Sequence, residues 1–368
     1  MQSSQHIFHR VMGAAFSLSG LAVLVIYVLA LSSTYSHFKL FDRLTQLTGA
    51  GQDQESAALV GGDAESTGVW WRNWLDRAGE VFAQVHVYDG NNVWMAAPVE
   101  SSELLSQFDA LNFLLPEPHG QPVSEVEVPR LYVHSLPKNL TAEDNGWARK
   151  RDFIRTLLPL VLAENEKIQN DRARAQRLQQ HMDQGHKLYS ANRTWLINLA
   201  ARYGMDGFDP RTGDWKELLR RVDGVPPSLA LAQAAVESGW GTSRFALHGN
   251  ALFGQWSWKP GSGIIPADRA AGGRHEIRRF DRMSESVSAY LHNLNTHDYY
   301  AKFREHRAAT RVNDKLAPGF ELVKYLDRYS KAGQEYIKDV RAVIQTNMLQ
   351  DLDAARLQPV IGAPLTSS

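Results

Sequence analysis

Residues 226–258 read PPSLALAQAAVESGWGTSRFALHGNALFGQWSW, and the order of residue types along them decides the fold. Pro226 and Pro227 suit a helix entry, where a missing N–H costs nothing. Leu229, Ala232, Val236 and Trp240 recur at helical spacing and predict a packing stripe. Glu237 falls on the neighbouring face, beside Ala230, Gln233 and Ala234. Gly239 predicts a left-handed end to the helix, and Gly241 keeps the turn after it close to the backbone.

An acid in the last turn of a helix has an electrostatic consequence. The C-terminal end of the macrodipole is negative and disfavours a second negative charge. Aromatic neighbours desolvate the carboxyl further, and both effects push its pKa up. A carboxylic acid kept protonated near neutral pH is what a glycosidase needs to protonate the departing sugar oxygen. On spacing alone, a solvated or salt-bridged glutamate is the plainer reading of Glu237.

The next segment strengthens the chemical reading. Trp240, Phe245, Phe253, Trp256 and Trp258 lie within residues 240–258, interleaved with Asn250, Gln255 and glycines. Pyranose rings present apolar C–H faces and polar edges, which aromatic and amide side chains match. Trp240, Asn250, Phe253, Gln255 and Trp256 are therefore expected to bind substrate, with part of the aromatic set serving the core.

Working outward, residues 195–350 are consistently helical. Val287, Tyr290, Leu291 and Leu294 share one face, with Ser284 as a plausible N-cap, and Tyr336, Val340, Val343 and Ile344 share another. Residues 259–282, KPGSGIIPADRAAGGRHEIRRFDR, are punctuated by glycines and read as a loop or short β-hairpin. The expected fold class is mainly α (α+β), a helical domain with a small β-hairpin. Arginines on that hairpin form either a basic rim for carboxylates or a solvated charged surface. His292 and His297 are spaced wrongly for one helix face, so no metal site and no cofactor are expected.

Upstream, residues 153–182 make a long helical pattern with Pro159 as a kink or boundary and a charged second half. Residues 126–194 read as a helical spacer and 69–125 as an accessory region of unknown role. Within the latter, VFAQVHVY followed by DGNN predicts a hairpin, and its tryptophans suit packing better than sugar stacking. Residues 36–68 are a linker and 351–368 a C-terminal tail. Residues 11–31 are uncharged and long enough to cross a bilayer, as an inner-membrane anchor or a cleaved signal. The chain beyond residue 35 would then face the periplasm. The 40 basic and 40 acidic residues cancel, which gives no support to nucleic-acid binding. The absence of cysteine excludes disulfides, thiolate metal sites and cysteine nucleophiles.

ALAQAAVESGWGTSRFALHGNALFGQW, residues 230–256, resembles the signature of glycoside hydrolase family 73, bacterial N-acetylglucosaminidases. Upstream, VPRLYVHSLPKNL and FIRTLLPLVLAENEKI resemble the Bax-type envelope proteins of Gram-negative bacteria, so the resemblance covers roughly residues 125–350. It implies a lysozyme-like fold and cleavage of β-1,4 bonds after N-acetylglucosamine in peptidoglycan glycan strands. It places the catalytic acid on Glu237 and a family tyrosine on Tyr329 in RYSKAGQEY, with Tyr336 closing the pattern and packing.

The second catalytic group departs from the family pattern. Many members carry a glutamate on the first strand of the hairpin, where this chain offers only Asp268. Glu276, expected on the second strand, is the candidate, against a salt bridge with the surrounding arginines. The acetamido oxygen of the substrate can also serve as nucleophile, leaving one protein acid sufficient. Two other functions fit the same signature: a lytic transglycosylase, and a non-catalytic envelope protein that binds glycan or protein.

Overall fold

The computed structural model describes residues 85–88, 92–95 and 100–359, apart from 114, 116–125, 138, 141–145, 267–268, 270–272 and 312–315. The expected membrane span at 11–31, the linker at 36–68 and Asp268 lie outside the described residues. Among those described, no helix is long and apolar enough to cross a membrane. The chain divides into two units, Met1–Trp94 with Val360–Ser368, and Met95–Pro359. The strands β1 (Val85–Tyr88) and β2 (Asn92–Met95) neighbour one another, as the alternation and turn signal there predict.

The second unit is mainly helical. It opens with α1 (Ser101–Ala110), the short strands β3 (Glu127–Val128) and β4 (Leu131–Val133), and the long helix α2 (Gly146–Asp183). Next come α3 (Ser190–Arg202), α4 (Trp215–Arg221), α5 (Pro227–Ser238) and α6 (Arg244–Gly249). A small sheet of β5 (Trp256–Ser257), β6 (Gly263–Ile264) and β7 (Glu276–Arg278) interrupts the helices. The unit closes with α7 (Met283–Thr296), α8 (Ala301–Ala309), α9 (Gly319–Leu322), α10 (Gln334–Thr346) and β8 (Arg356–Leu357). β8 pairs in parallel with β3, joining residues near the two ends of the unit. The segment expected as the catalytic domain, 195–350, lies inside this unit.

The helix α5 is the hub, and its environment differs from the stripe its spacing predicts. It packs against α2, α9, α10 and the 3-10 turn Leu349–Ala354. Every residue from Pro227 to Ala235 is buried, and only Val236 and Glu237 in its last turn are partly exposed. Alanine at 230, 232, 234 and 235 explains this, because small side chains let neighbouring backbones close in on all sides.

Buried polar contacts fix the entry of α5. Asp353 accepts from the backbone N–H of Ser228 (2.9 Å), from its hydroxyl (2.9 Å) and from the N–H of Gly319 (3.0 Å). One carboxylate thus satisfies orphan donors of both α5 and α9. Just upstream, Asp223 is fully buried, pairs with Arg311, and lies 3.7 Å from Arg307 and 3.9 Å from Arg172. Asn165 of α2 donates to Val225 O (2.7 Å) and accepts from Val225 N (2.9 Å).

Two helices depart from their expected outlines. α2 runs unbroken through Pro159, which is therefore no boundary, and residues 152–162 of the expected spacer are buried. Its charged second half buries only the stripe Asn165, Ile168, Arg172 and Ala175. α7 is preceded by Arg282 as N-cap, with Ser284 inside the first turn. The expected hairpin is a three-stranded antiparallel sheet in the order β5-β7-β6, in which Ser257 faces Glu276 and Trp256 faces Ile277.

Candidate active site

ESGWG, residues 237–241, turns the chain sharply after α5. Gly239, Trp240 and Gly241 have φ of 59°, 58° and 79°, three left-handed residues in succession. The hydroxyl of Ser238 donates to Ala234 O (2.6 Å) and accepts from Gly241 N (2.8 Å), stitching the turn to the helix. Gly241 has no room for a side chain: an added Cβ would meet Leu140, Phe153 and Leu136 at 2.9–3.0 Å. Trp240 accepts a conformation costing about 1–2 kcal/mol for a residue with a Cβ. In return its ring packs edge-on against Phe153 at 5.8 Å, with Lys150 Nζ 5.0 Å from its centroid.

The turn leaves Glu237 partly exposed at the end of an otherwise buried helix. Burial pushes its carboxyl up to about 7, against the opposing pull of a hydrogen bond from Tyr336. Desolvation therefore outweighs the hydrogen bond. Gly254 lies directly against this carboxyl: a Cβ there would sit 2.6 Å from Glu237 Oε2. With φ of +62°, Gly254 also holds a backbone shape that suits glycine.

A directed hydrogen-bond chain ends on Glu237. The Tyr290 hydroxyl donates to Gln233 Oε1 (2.7 Å), and Gln233 Nε2 donates to the Tyr336 oxygen (2.7 Å). The one hydrogen of Tyr336 is thereby left for Glu237. Tyr336 stacks on Tyr329 at 5.4 Å, as packing predicts, but its hydroxyl does more than pack. The sequence shows, by their four-residue spacing, that Gln233 shares the helix face of Glu237, but not that Tyr336, about a hundred residues on, meets both there.

The remaining candidates are distributed unevenly. Tyr329 is beside the site, its hydroxyl donating to Phe253 O (2.9 Å) and its ring on Tyr336. Phe253 itself is buried and stacked on Tyr290 at 4.0 Å. Asn250 is left-handed at the end of α6 and donates to Phe280 O and Asp281 O (both 3.1 Å). Gln255 Oε1 is buried and accepts no hydrogen bond among the described residues. Trp256 is exposed on β5.

Glu276 opens β7, the strand between β5 and β6. Oε1 accepts from Gly261 N (3.0 Å) and Oε2 from Gly263 N (2.8 Å). The bond from Gly261 is the main reason its carboxyl is held below the usual range, with Arg269 adding to it. The arginine partnership expected for Glu276 is thus secondary to the turn backbone.

Glu237, its carboxyl raised by burial, thus lies at the end of a buried helix, with Trp256 on the small sheet two residues beyond the Gly254 that touches it. Residues 214–349 match the glucosaminidase family, described as mannosyl-glycoprotein endo-beta-N-acetylglucosaminidase, which makes the chain a hydrolase of that class. The chain is 36% identical to Protein bax of Escherichia coli (strain K12) over 224 residues, 61% of this chain and 77% of that protein. It belongs to the Bax-type family of glucosaminidase-domain proteins. No solved structure matches it.

Proposed function

We propose that this protein cleaves β-1,4 bonds after N-acetylglucosamine in peptidoglycan, on a lysozyme-like scaffold, with Glu237 as general acid. One observation carries the reading: Glu237 sits in the last turn of a buried helix with Gly254 against its carboxyl, and burial raises that carboxyl to about 7, so that about half of it is protonated at neutral pH. The uncharged stretch at 11–31 supports an inner-membrane anchor, with the catalytic unit in the periplasm where the glycan is.

Two observations bear on the second group. Glu276 is biased toward its ionised form, which suits a second carboxylate facing an oxocarbenium-like transition state. Both of its oxygens already accept backbone N–H groups, which suits a brace for the turn and leaves the acetamido oxygen as nucleophile. Glu276→Gln separates them. Activity falls at least about 100-fold if the carboxylate takes part in chemistry, and stays within about tenfold if it braces the turn.

The overall reading is tested by mass spectrometry of purified sacculi digested with wild type and Glu237→Gln. Wild type is expected to leave reducing N-acetylglucosamine ends and the variant none. Anhydro-muramyl ends would instead identify a lytic transglycosylase.

A further inference from the structure

Most of the aromatic and amide residues near the site are committed elsewhere. Trp240 packs on α2, Phe253 on Tyr290, and Asn250 on the chain before α7. What stays open is one strand of the small sheet. Trp256 is 48% exposed and Trp258 67% exposed. The segment carrying them, β5 and the residue after it, continues from Gly254, the residue lying against the Glu237 carboxyl. Trp258 is four residues further on, at most roughly 13 Å along an extended chain.

The ring geometry separates the two tryptophans. His275 stacks on Trp256 with centroids 4.5 Å apart and planes within 18°. Lys331 Nζ also lies 5.7 Å from the Trp256 centroid, two residues after Tyr329, whose hydroxyl is bonded to Phe253 O. Trp256 is thus held from His275, just before β7, and from the loop before α10. Trp258 meets Trp256 and His275 at 70° and 63°, so no ring among the described residues lies parallel to its face. A large aromatic face left open on a braced support, continuous with a glycosidase site, fits the apolar C–H face of a pyranose.

We propose that Trp258, supported by Trp256 and His275, forms a glycan subsite beyond the scissile bond that stacks an N-acetylhexosamine ring of a long strand. The assignment rests on the glycosidase reading of Glu237 and extends it to chain length. The enzyme then favours polymeric glycan over short oligosaccharides, because only a long strand reaches both Glu237 and Trp258.

Trp258→Ala is expected to lower kcat/KM on long glycan strands by about tenfold, the effect of one lost aromatic contact. Turnover of the shortest cleavable oligosaccharide should stay within about twofold. Sacculus binding is measured in parallel, comparing Glu237→Gln with Glu237→Gln/Trp258→Ala, and the double variant should bind about tenfold more weakly. Equal losses on long and short substrates, or equal binding by the two inactive proteins, would overturn the subsite. Activity of Glu237→Gln within about tenfold of wild type would instead count against the acid assignment and leave the binding comparison readable.

Discussion

Two glutamates lie on the two architectures of one unit, and their surroundings drive them in opposite directions. Glu237 ends a helix buried on all sides, and burial raises its carboxyl to about 7. Glu276 opens the central strand of a small sheet, where amides of the Gly261–Gly263 turn hold its carboxyl down. The residue type is the same in both places. What differs is the surroundings: burial desolvates the first carboxyl, whereas a tight glycine turn offers the second a cluster of backbone N–H donors. Burial on one side and backbone donors on the other therefore bias the two carboxyls in opposite directions before any substrate is present.

The helix side is the more vulnerable. Glu237→Gln keeps the shape and removes the proton, and should cost about 10²–10⁴-fold in turnover of sacculi, with the melting temperature nearly unchanged. A loss confined to tenfold would break the contrast by showing that Glu237 carries no proton transfer. Gly254→Ala comes next. Its Cβ would collide with Glu237 Oε2 at 2.6 Å and add about 1–2 kcal/mol of left-handed strain. Activity should fall by about 10–100-fold and the melting temperature should drop, read by steady-state kinetics and thermal denaturation. Full activity would mean that the Glu237 carboxyl is free to move aside.

Tyr336→Phe gives the smallest and most informative effect. Its hydroxyl donates to the Glu237 carboxylate and lowers the pKa, so its loss should move that pKa further up. Because the acid works protonated, activity falls as pH rises through its pKa. The variant should therefore hold kcat/KM to higher pH than wild type while losing a few-fold of it at neutral pH. A pH profile unchanged by the substitution would show that the tyrosine packs only.

The helix side was the legible part of the sequence. The prolines at 226 and 227, the acid at 237 and the glycine at 239 each have a local physical meaning, and the structure uses the prolines as helix entry and the glycine as left-handed cap, with Glu237 in the last turn. The mainly helical class with a small β element was legible too. The one-sided packing stripe was not, because whether an alanine face is open or covered depends on what packs there, and α9, α10 and the Leu349–Ala354 turn arrive from about a hundred residues away. Long-range contacts hid the same way. The donation from Tyr336, the bond from Tyr329 to Phe253 O and the clamp of Asp353 on Ser228 join residues distant in sequence. The hold of the turn on Glu276 was obscured for a different reason: arginines are visible in a sequence as partners for an acid, whereas the donors here are backbone amides, which it does not display.

The most direct test is to titrate the Glu237 carboxyl itself, by NMR of protein labelled with carboxyl-¹³C glutamate. The resonance is assigned by its loss in Glu237→Gln. A midpoint of about 7 is predicted, well above the ordinary 4.5 of a glutamate. A midpoint at or below that ordinary value would leave Glu237 ionised at neutral pH and contradict its role as the proton donor.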